Sequence, residues 1–229
     1  MLKDFLDSLS LNDLNEGLII LVNKPKNWTS FDVVKYIRKN IEINLKLKKL
    51  KVGHAGTLDP LATGLLIICI GYETKNIHKY QDLIKKYSGT FKLGETTPSF
   101  DRETEVNQKF KVDHLSFELL STVSKEFVGK SLQKPPIFSA IKKNGKRLYE
   151  YARDDKKIKI DSREINIYKF ELSNYKIPFV DFAIECSKGT YIRSVANDFG
   201  KKLKSGSFLY SLNREAIGDF KLIDAYSIE

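Results

Sequence analysis

Cysteine and histidine are scarce in this chain of 229 residues, which has two cysteines and three histidines. Neither cysteine belongs to a CxxC pair and the histidines are scattered, so the sequence predicts no metal site. Cys69 and Cys186 each lie in an apolar, strand-like segment. We expect both to be reduced core residues of a cytoplasmic protein.

Long hydrophobic runs are also lacking, because no apolar segment approaches the roughly 20 residues that cross a membrane. The first residues include Asp4 and Asp7 and have no basic start followed by an apolar core, so they do not resemble a signal peptide. The sequence therefore predicts a soluble protein that does not span a membrane.

Acidic residues are too few to balance the basic ones, since 29 Asp and Glu face 39 Lys and Arg, for a net charge of +10. Such an excess favours a polyanionic partner, either nucleic acid or an acidic membrane surface. A lysine-rich proteome would produce the same excess, and only seven of the basic residues are arginine. With 41% hydrophobic residues, the chain is globular rather than disordered.

Apolar periodicity predicts strands and helices in mixed order, without the regular alternation of a βαβ protein. This order predicts an α+β fold with a mixed, mainly antiparallel sheet flanked by helices. No repeat or linker divides the chain, so we expect one domain over 1–229, with 1–16 loosely attached. The predicted strands lie near 17–22, 65–70, 86–93, 163–172, 179–187 and 208–217, and the predicted helices follow Thr29 and Ser116 or cover 74–84, 147–153 and 191–204.

Four segments are less regular. Residues 46–51 alternate basic and apolar side chains, which fits an edge strand or a basic loop. Residues 94–113 are polar, and a loop of that length is usually functional or mobile. Asn144-Gly145 predicts a tight turn. The triplet at 129–131, Gly-Lys-Ser, resembles the end of a phosphate-binding loop, but Ser124 stands where the first glycine is required, so we expect no nucleotide site.

The most informative segment is GHAGTLDPLATG at residues 53–64, directly before the predicted strand at 65–70. Its glycines allow backbone conformations and close approaches that a Cβ forbids. Pro60 restricts its own φ and disfavours a helical conformation at Asp59, so the carboxylate lies on a stiff, extended loop. A lone Asp before Pro is most often a turn residue, so these features alone leave a catalytic role as the minority interpretation.

This segment fits every fixed position of G-H-x-G-x-L-D-P-x-A-x-G, the catalytic motif of the tRNA pseudouridine-55 synthases, and the chain resembles that family from about residue 17 to 222. The resemblance implies the pseudouridine synthase fold with RNA-binding loops and an isomerase that converts one uridine of the tRNA T-arm into pseudouridine. It implies no cofactor and no metal. Asp59 would detach the uracil and re-attach it, by attack at C1′ of the sugar or by elimination from C2′.

Further family segments imply roles for other residues. Arg193, in CSKGTYIRS at 186–194, would pair with the catalytic carboxylate, and Tyr87 would stack on the target base. Lys24, in VNKP at 22–25, would support the catalytic loop, and His54 would fill the space that the flipped base leaves in the RNA. Three more residues, taken alone ordinary surface or packing positions, would contact RNA or line the pocket, namely Lys75, Tyr191 and Lys142.

The resemblance predicts binding to the T stem-loop of tRNA by a monomer without an obligate protein partner. Two alternatives stay open: a non-catalytic RNA-binding protein on the same scaffold, and an enzyme for another RNA, such as ribosomal RNA or a guide-directed site. The chain departs from the family at 94–104, which we expect to order only on RNA binding, and at Glu215, where an uncharged residue is usual. It also ends where many relatives continue into a small RNA-binding domain, so we expect a catalytic domain without that module.

Overall fold

A computed structural model describes residues 1–154, 156 and 158–228. The chain forms two compact units, which we name the terminal unit (Met1–Tyr87 and Leu212–Glu229) and the central unit (Ser88–Ser211). The terminal unit therefore combines both ends of the chain. The expectation of a single domain stays a prediction.

The terminal unit is built on a short sheet covered by helices. Its helices are α1 (Leu2–Ser8), α2 (Leu11–Glu16), α3 (Ser30–Asn44), α4 (Ile77–Asp82) and two 3-10 helices (Gly71–Asn76 and Leu222–Asp224), and its strands are β1 (Leu18–Lys24), β2 (Val52–His54), β3 (Thr63–Ile70), β13 (Phe220–Lys221) and β14 (Tyr226–Ser227), together with the first residues of β4 (Lys85–Leu93) and the last residues of β12 (Ser207–Ile217).

Strand β3 is the centre of this sheet. It pairs antiparallel with β1 over its whole length, from Leu18 opposite Ile70 to Lys24 opposite Gly64. It also pairs antiparallel with β2 and parallel with the end of β12, while β14 adds to β1 in parallel. Because β3 is covered on both sides, its run from Gly64 to Ile70 is buried throughout, as its continuous apolar sequence predicts.

Helix α3 begins where its sequence predicts. The Thr29 hydroxyl accepts a hydrogen bond from the amide of Asp32, and the Asp32 carboxylate accepts one from the amide of Thr29, so both orphan amides at the helix start have partners. One face of the helix then buries four β-branched side chains in the core of the unit, those of Val33, Val34, Ile37 and Ile41.

The expectation that residues 1–16 are loosely attached is wrong. The segment forms α1 and α2, and the ring of Phe5 stacks on Tyr226 at 5.1 Å between centroids. Asn44 of α3 donates a hydrogen bond to the Asp7 carbonyl. The physical reason is a leucine stripe that needs an apolar surface, and all four of its members are buried in the same core as α3: Leu2, Leu6, Leu9 and Leu14.

Two other segments of the terminal unit refine the sequence interpretation. Residues 46–51 form a basic loop rather than an edge strand, and Lys46 has a positive φ of 52°. The predicted helix at 74–84 is a 3-10 turn, Gly71–Asn76, followed by the short α4.

The central unit is also a sheet with helices packed on it. Its helices are α5 (Phe117–Lys125), α6 (Leu148–Arg153) and α7 (Ile192–Lys202), and its further strands are β5 (Glu95–Thr96), β6 (Gln108–Lys109), β7 (Gly129–Gln133), β8 (Lys142–Lys143), β9 (Lys146–Arg147), β10 (Arg163–Lys176) and β11 (Phe179–Cys186).

The strand order in this unit is β12, β4, β11, β10 and β7. The predicted pair of strands at 163–172 and 179–187 is confirmed as the antiparallel pair β10 and β11. The Gly-Lys-Ser triplet at 129–131 lies in β7, which pairs antiparallel with β10, so it is part of a sheet and not a phosphate-binding loop. The core is aromatic, with Phe91 stacked on Phe182 at 4.1 Å and Phe199 of α7 beside them.

The pairs β1–β14 and β3–β12 are parallel, whereas β1–β3, β2–β3, β7–β10, β10–β11 and β12–β13 are antiparallel, so the mixed, mainly antiparallel sheet of an α+β protein is confirmed. The predicted turn joins β8 to β9, where Asn144 and Gly145 have φ values of 51° and 81°. Within the described part of the chain, no helix has the length and apolar character needed to cross a membrane.

Candidate active site

The loop that carries Asp59 is held at its middle by two buried side chains of the terminal unit. The Ser30 hydroxyl, at the start of α3, donates to the carbonyl of Leu58 (3.1 Å) and accepts from the amide of Leu58 (2.8 Å). On the other side of Asp59, the carbonyl of Pro60 accepts from the amide of Asn27 at 2.8 Å. Both neighbours of Asp59 are therefore fixed, and the half-buried carboxylate is presented from a rigid backbone.

Lys24 is the second of these buried side chains, with no exposed surface. Its ammonium donates to the carbonyls of Pro25 (2.8 Å), Trp28 (2.7 Å) and Pro60 (3.4 Å). Burial lowers the pKa of Lys24 to about 8, although the nearby carboxylate of Asp59 favours the charged form. The contact with Pro60 places Lys24 against the Asp59 loop, where the family resemblance implies a supporting role.

Arg214, on β12, is a buried residue of this site that sequence reasoning missed, with only 1% of its surface exposed. Its Nε donates to the carbonyl of Leu65 (2.7 Å) and its Nη2 donates to the carbonyl of Gly56 (3.0 Å). These two carbonyls lie on either side of Asp59 along the chain. One guanidinium thus ties together the two ends of the loop.

His54 lies at the end of β2, half-buried and opposite Ile68 of β3. Burial is the main cause that lowers its pKa, and the positive charge of Arg214 adds to the effect. The imidazole is therefore neutral near pH 7. Its Nδ1 is buried and has no hydrogen-bond partner within the residues that the structure describes.

The other two predicted residues of the terminal unit lie at different places. Tyr87 is half-buried on β4. Lys75 lies on the 3-10 helix after β3, at the end of that strand opposite to Thr63, and its ammonium lies 4.2 Å from the ring centre of the exposed Tyr72. Tyr87 as a base platform and Lys75 as an RNA contact stay predictions.

In the central unit, Arg193 is the first-turn residue of α7 and is 96% buried, with 4% of its surface exposed. Its Nε lies 3.6 Å from a carboxylate oxygen of Asp101, and its Nη1 donates to the carbonyl of Ser99 at 3.3 Å. A buried guanidinium with such partners keeps one orientation, which is what recognition of a second carboxylate would require.

The segment that holds Arg193 belongs to the loop at 94–104. The expectation that this loop has little order of its own is wrong. Asp101 accepts from the hydroxyl of Ser99 (2.6 Å) and the amide of Glu103 (2.9 Å), and its carbonyl accepts from the hydroxyl of Thr97 (2.6 Å). Polar side chains, rather than an apolar pattern, fold the loop into a compact turn.

The two remaining predicted residues also lie in the central unit. Tyr191 precedes α7, its backbone exchanges two hydrogen bonds with the Gln133 side chain, and Arg163 lies 5.3 Å from its ring centre. Lys142 is exposed on the β8–β9 hairpin, opposite Arg147. Their contact with RNA stays a prediction.

The geometry therefore provides a half-buried carboxylate on a clamped loop, with buried cations around it, in the terminal unit. It provides a separately oriented arginine in the central unit. Across residues 1–154, 156 and 158–228, no group of three or more His, Cys, Asp or Glu side chains is placed to hold a metal ion. The site is suited to acid–base or nucleophilic chemistry by Asp59.

Ser30, Asp101 and Arg214 are the site residues that sequence reasoning missed. Ser30 follows a helix cap, and Arg214 stands in a strand-like segment where an arginine is unremarkable. The one available signal for Arg214 was composition, because arginine is rare in this lysine-rich chain and a buried bridge between carbonyls needs its planar fork.

Comparison with known proteins identifies the family of this chain. The model of the TruB family pseudouridylate synthase (N terminal domain) matches residues 38–192. A protein of Flavobacterium johnsoniae named tRNA pseudouridine synthase B is 51% identical over 216 residues, which cover 93% of each chain. One of Parabacteroides distasonis with the same name is 48% identical, over 92% of this chain and 89% of its own. The resemblance recognised in the sequence is confirmed.

Solved structures show the same fold. A chain in the crystal structure of a Cbf5-Nop10-Gar1 complex superposes with a TM-score of 0.71 at 25% identity, and this chain covers 56% of it. A chain in an H/ACA RNP bound to a substrate RNA superposes with a TM-score of 0.67 at 23% identity, and 54% of it is covered. The present chain thus spans about half the length of these structural relatives.

Proposed function

Because this chain belongs to the TruB family of pseudouridylate synthases, we propose that it converts a uridine of tRNA into pseudouridine. The observation that carries the proposal is the clamped loop of Asp59. An aspartate within a twelve-residue family motif is held between buried Ser30, Lys24 and Arg214, all in one compact unit. The curated relatives that support it are similar to this chain over nearly their whole length.

The reaction needs no redox partner and releases no part of the nucleoside, because it is an isomerisation. The N1–C1′ bond of the target nucleoside breaks, the uracil rotates while it stays bound, and a C5–C1′ bond forms; the proton leaves C5 and N1 ends protonated. We assign the cleavage step to Asp59, either as the nucleophile at C1′ or as the base that removes the C2′ proton. The target base is stacked inside folded RNA and has to be flipped out, which costs a few kcal/mol.

Other residues take roles that follow from their positions. Tyr87 would stack on the flipped uracil, and Arg193 would pair with the Asp59 carboxylate and keep it ionised where water is excluded. Asp101 and Ser99 support this role of Arg193, because they hold its guanidinium in one orientation. His54, neutral and with a buried Nδ1, would enter the space that the base vacates.

We place recognition at the T stem-loop of tRNA, with phosphate contacts from the basic surface that gives the chain its net charge of +10. The exposed residues Lys75 and Lys142 would belong to that surface, and Tyr191 would line its edge. The enzyme would act in the cytoplasm as a monomer, without a cofactor or an obligate protein partner. The competing candidates are a guide-directed enzyme and a non-catalytic RNA-binding protein.

The test is incubation of the purified protein with an unmodified tRNA transcript, followed by mapping of pseudouridine. We expect one modified position in the T-arm, with the same result on an isolated T stem-loop. Asp59→Asn should abolish turnover and leave tRNA affinity within about threefold, because phosphate contacts supply most of the affinity. Asp219→Asn, at an exposed carboxylate of the same unit, is the matched control and should keep full activity.

Three results would contradict the proposal in different ways. Turnover by Asp59→Asn, with deamidation excluded by mass spectrometry, would remove Asp59 from the mechanism. Modification only in the presence of an added guide RNA would favour the guide-directed enzyme. Tight binding with no pseudouridine in any tRNA would favour the non-catalytic protein.

A further inference from the structure

We propose that Arg214 is a positioning residue for catalysis, which fixes the orientation of the Asp59 carboxylate by bridging the two ends of its loop. The inference rests on the proposed role of Asp59. Arg214 would not touch the substrate; it would act through the backbone of residues 56–65.

The first support is the geometry of the bridge. Nη2 of Arg214 donates to the carbonyl of Gly56 at 3.0 Å, and Nε donates to the carbonyl of Leu65 at 2.7 Å. The side chain is 99% buried, so these hydrogen bonds face little competition from water. A guanidinium offers donors in a rigid plane, so one side chain sets the separation of two carbonyls as well as their distance from itself.

The second support is that the side-chain contacts from Ser30 and Lys24 lie at the middle of the loop. Ser30 holds Leu58, and Lys24 holds Pro60. Each end of the loop is also held to the sheet by backbone contacts, such as the hydrogen bond from the Ala55 amide to the Ile67 carbonyl (2.9 Å) and the pairing of Gly64 with Lys24. Arg214 adds a side chain that contacts both ends at once, at Gly56 and at Leu65, and so joins them to each other.

The third support is the fit of the motif glycines to Arg214. Gly64 has a φ of 108° and lies opposite Arg214 in the parallel pairing of β3 with β12; a Cβ there would overlap the backbone nitrogen of Arg214. Gly56 has a φ of 98°, and a Cβ there would lie 3.5 Å from Nη1 of Arg214. At Gly64 the close approach to the backbone of Arg214 requires glycine, whereas at Gly56 the positive φ favours glycine and the guanidinium lies at an ordinary contact distance.

The cost of the arrangement also points to a role beyond packing. Arg214 brings a second positive charge near buried Lys24 and disfavours the protonated form of His54. Burying a charge costs free energy unless it is paired, and a neutral apolar side chain would fill the same volume without that cost. A role in positioning the Asp59 loop would explain why a buried arginine is present despite this cost in free energy.

The test compares Arg214→Lys with Arg38→Lys. Arg38 is the matched control because it lies in the same unit and its Nη2 also donates to a backbone carbonyl, that of Val52 at 3.0 Å, but it bridges no loop. For each variant we would measure the single-turnover rate at saturating tRNA, the Kd for tRNA, and amide hydrogen exchange over residues 57–63.

We expect Arg214→Lys to lower the saturated rate by about 100-fold, the effect of a catalytic group displaced by about 1 Å, because an ammonium cannot bridge both carbonyls. The Kd should stay within about threefold of wild type, and exchange over 57–63 should be faster. Arg38→Lys should leave all three quantities near wild type. If Arg214 had only a structural role, both variants would have a lower melting temperature, and Arg214→Lys would show no separate loss of the saturated rate.

Several results would overturn the proposal. These are a folded Arg214→Lys protein with a rate within about threefold of wild type, an equal loss in Arg38→Lys, or a weakened Kd with an unchanged saturated rate. If Arg214→Lys does not fold, Arg214→Gln replaces it under the same criteria, and failure of both to fold would show that Arg214 is needed for folding rather than positioning. If the wild-type protein modifies no tRNA, the proposed function is refuted. Amide exchange tests the bridge separately, because equal exchange over residues 57–63 in Arg214→Lys and in wild type would refute it.

Discussion

The buried ammonium of Lys24 should make the stability of this protein depend on pH in an unusual direction. Its pKa falls from 10.5 to about 8 because the folded protein removes it from water. Between these values the unfolded chain binds more protons than the folded one, so the free energy of unfolding rises with pH. Below about pH 8 both states are protonated and the full cost of burial is present.

The size of the effect follows from the shift. At 1.36 kcal/mol for each pKa unit, the burial of this charge costs about 3 kcal/mol near pH 7 and only about 1.4 kcal/mol near pH 9.5. We therefore expect wild type to gain about 2 kcal/mol relative to Lys24→Met between these two pH values. Groups that titrate in both proteins cancel in the comparison.

The measurement is urea unfolding of wild type and Lys24→Met at both pH values, with a reducing agent present because both cysteines are free. Lys142→Met, which removes an exposed lysine, is the control and should show no such pH-dependent difference. If the difference between wild type and Lys24→Met is the same at both pH values, the ammonium of Lys24 is not desolvated as the structure indicates.

Three further predictions concern the packing and the RNA. Leu6→Ala should lower the free energy of unfolding by about 2–5 kcal/mol, because Leu6 is fully buried. Leu11→Ala, at a residue that is 53% exposed, should change it by under about 0.5 kcal/mol. Equal effects of the two substitutions in urea titrations would mean that residues 1–16 are not packed on the core. Gly64→Ala should unfold the protein or destabilise it far more than Gly145→Ala does, because a Cβ at Gly145 would meet open space. Similar melting temperatures of the two variants would refute the crowding of Gly64 by the backbone of Arg214. Affinity for a T stem-loop should fall linearly with salt on logarithmic scales, and a chelator should leave turnover on prefolded RNA unchanged; loss of turnover would indicate a metal.

The parts of the fold that could be predicted from the sequence are those with local causes. The cap at Thr29, the turn at Asn144-Gly145 and the buried strand at 65–70 each depend on residues close in the chain, so periodicity and turn chemistry identify them. The docking of residues 1–16 also had a local signal, a stripe of leucines, but its partner surface on α3 is distant in sequence and was not recognised.

The loop that carries Asp59 has contacts that no local pattern of the sequence predicts. Asp59 and Lys24 could be proposed because they belong to contiguous family motifs. Ser30 acts on Leu58 across 28 positions of the chain, and Arg214 acts on Leu65 across 149. No local pattern encodes a contact at that separation. The loop at 94–104 was misjudged for another reason, since hydrogen bonds among Thr97, Ser99 and Asp101 order it without any apolar signal.

The parallel pairing of β12 with β3 has a consequence for how the protein is made. The loop that carries Asp59 leaves the ribosome early, but the residue that joins its two ends lies at position 214, and β14, which completes the sheet, follows at Tyr226–Ser227. A nascent chain therefore cannot complete the Asp59 loop until residue 214 has been synthesised. Products terminated before residue 214 should be unable to act on RNA, because each would lack the side chain that joins the two ends of the loop.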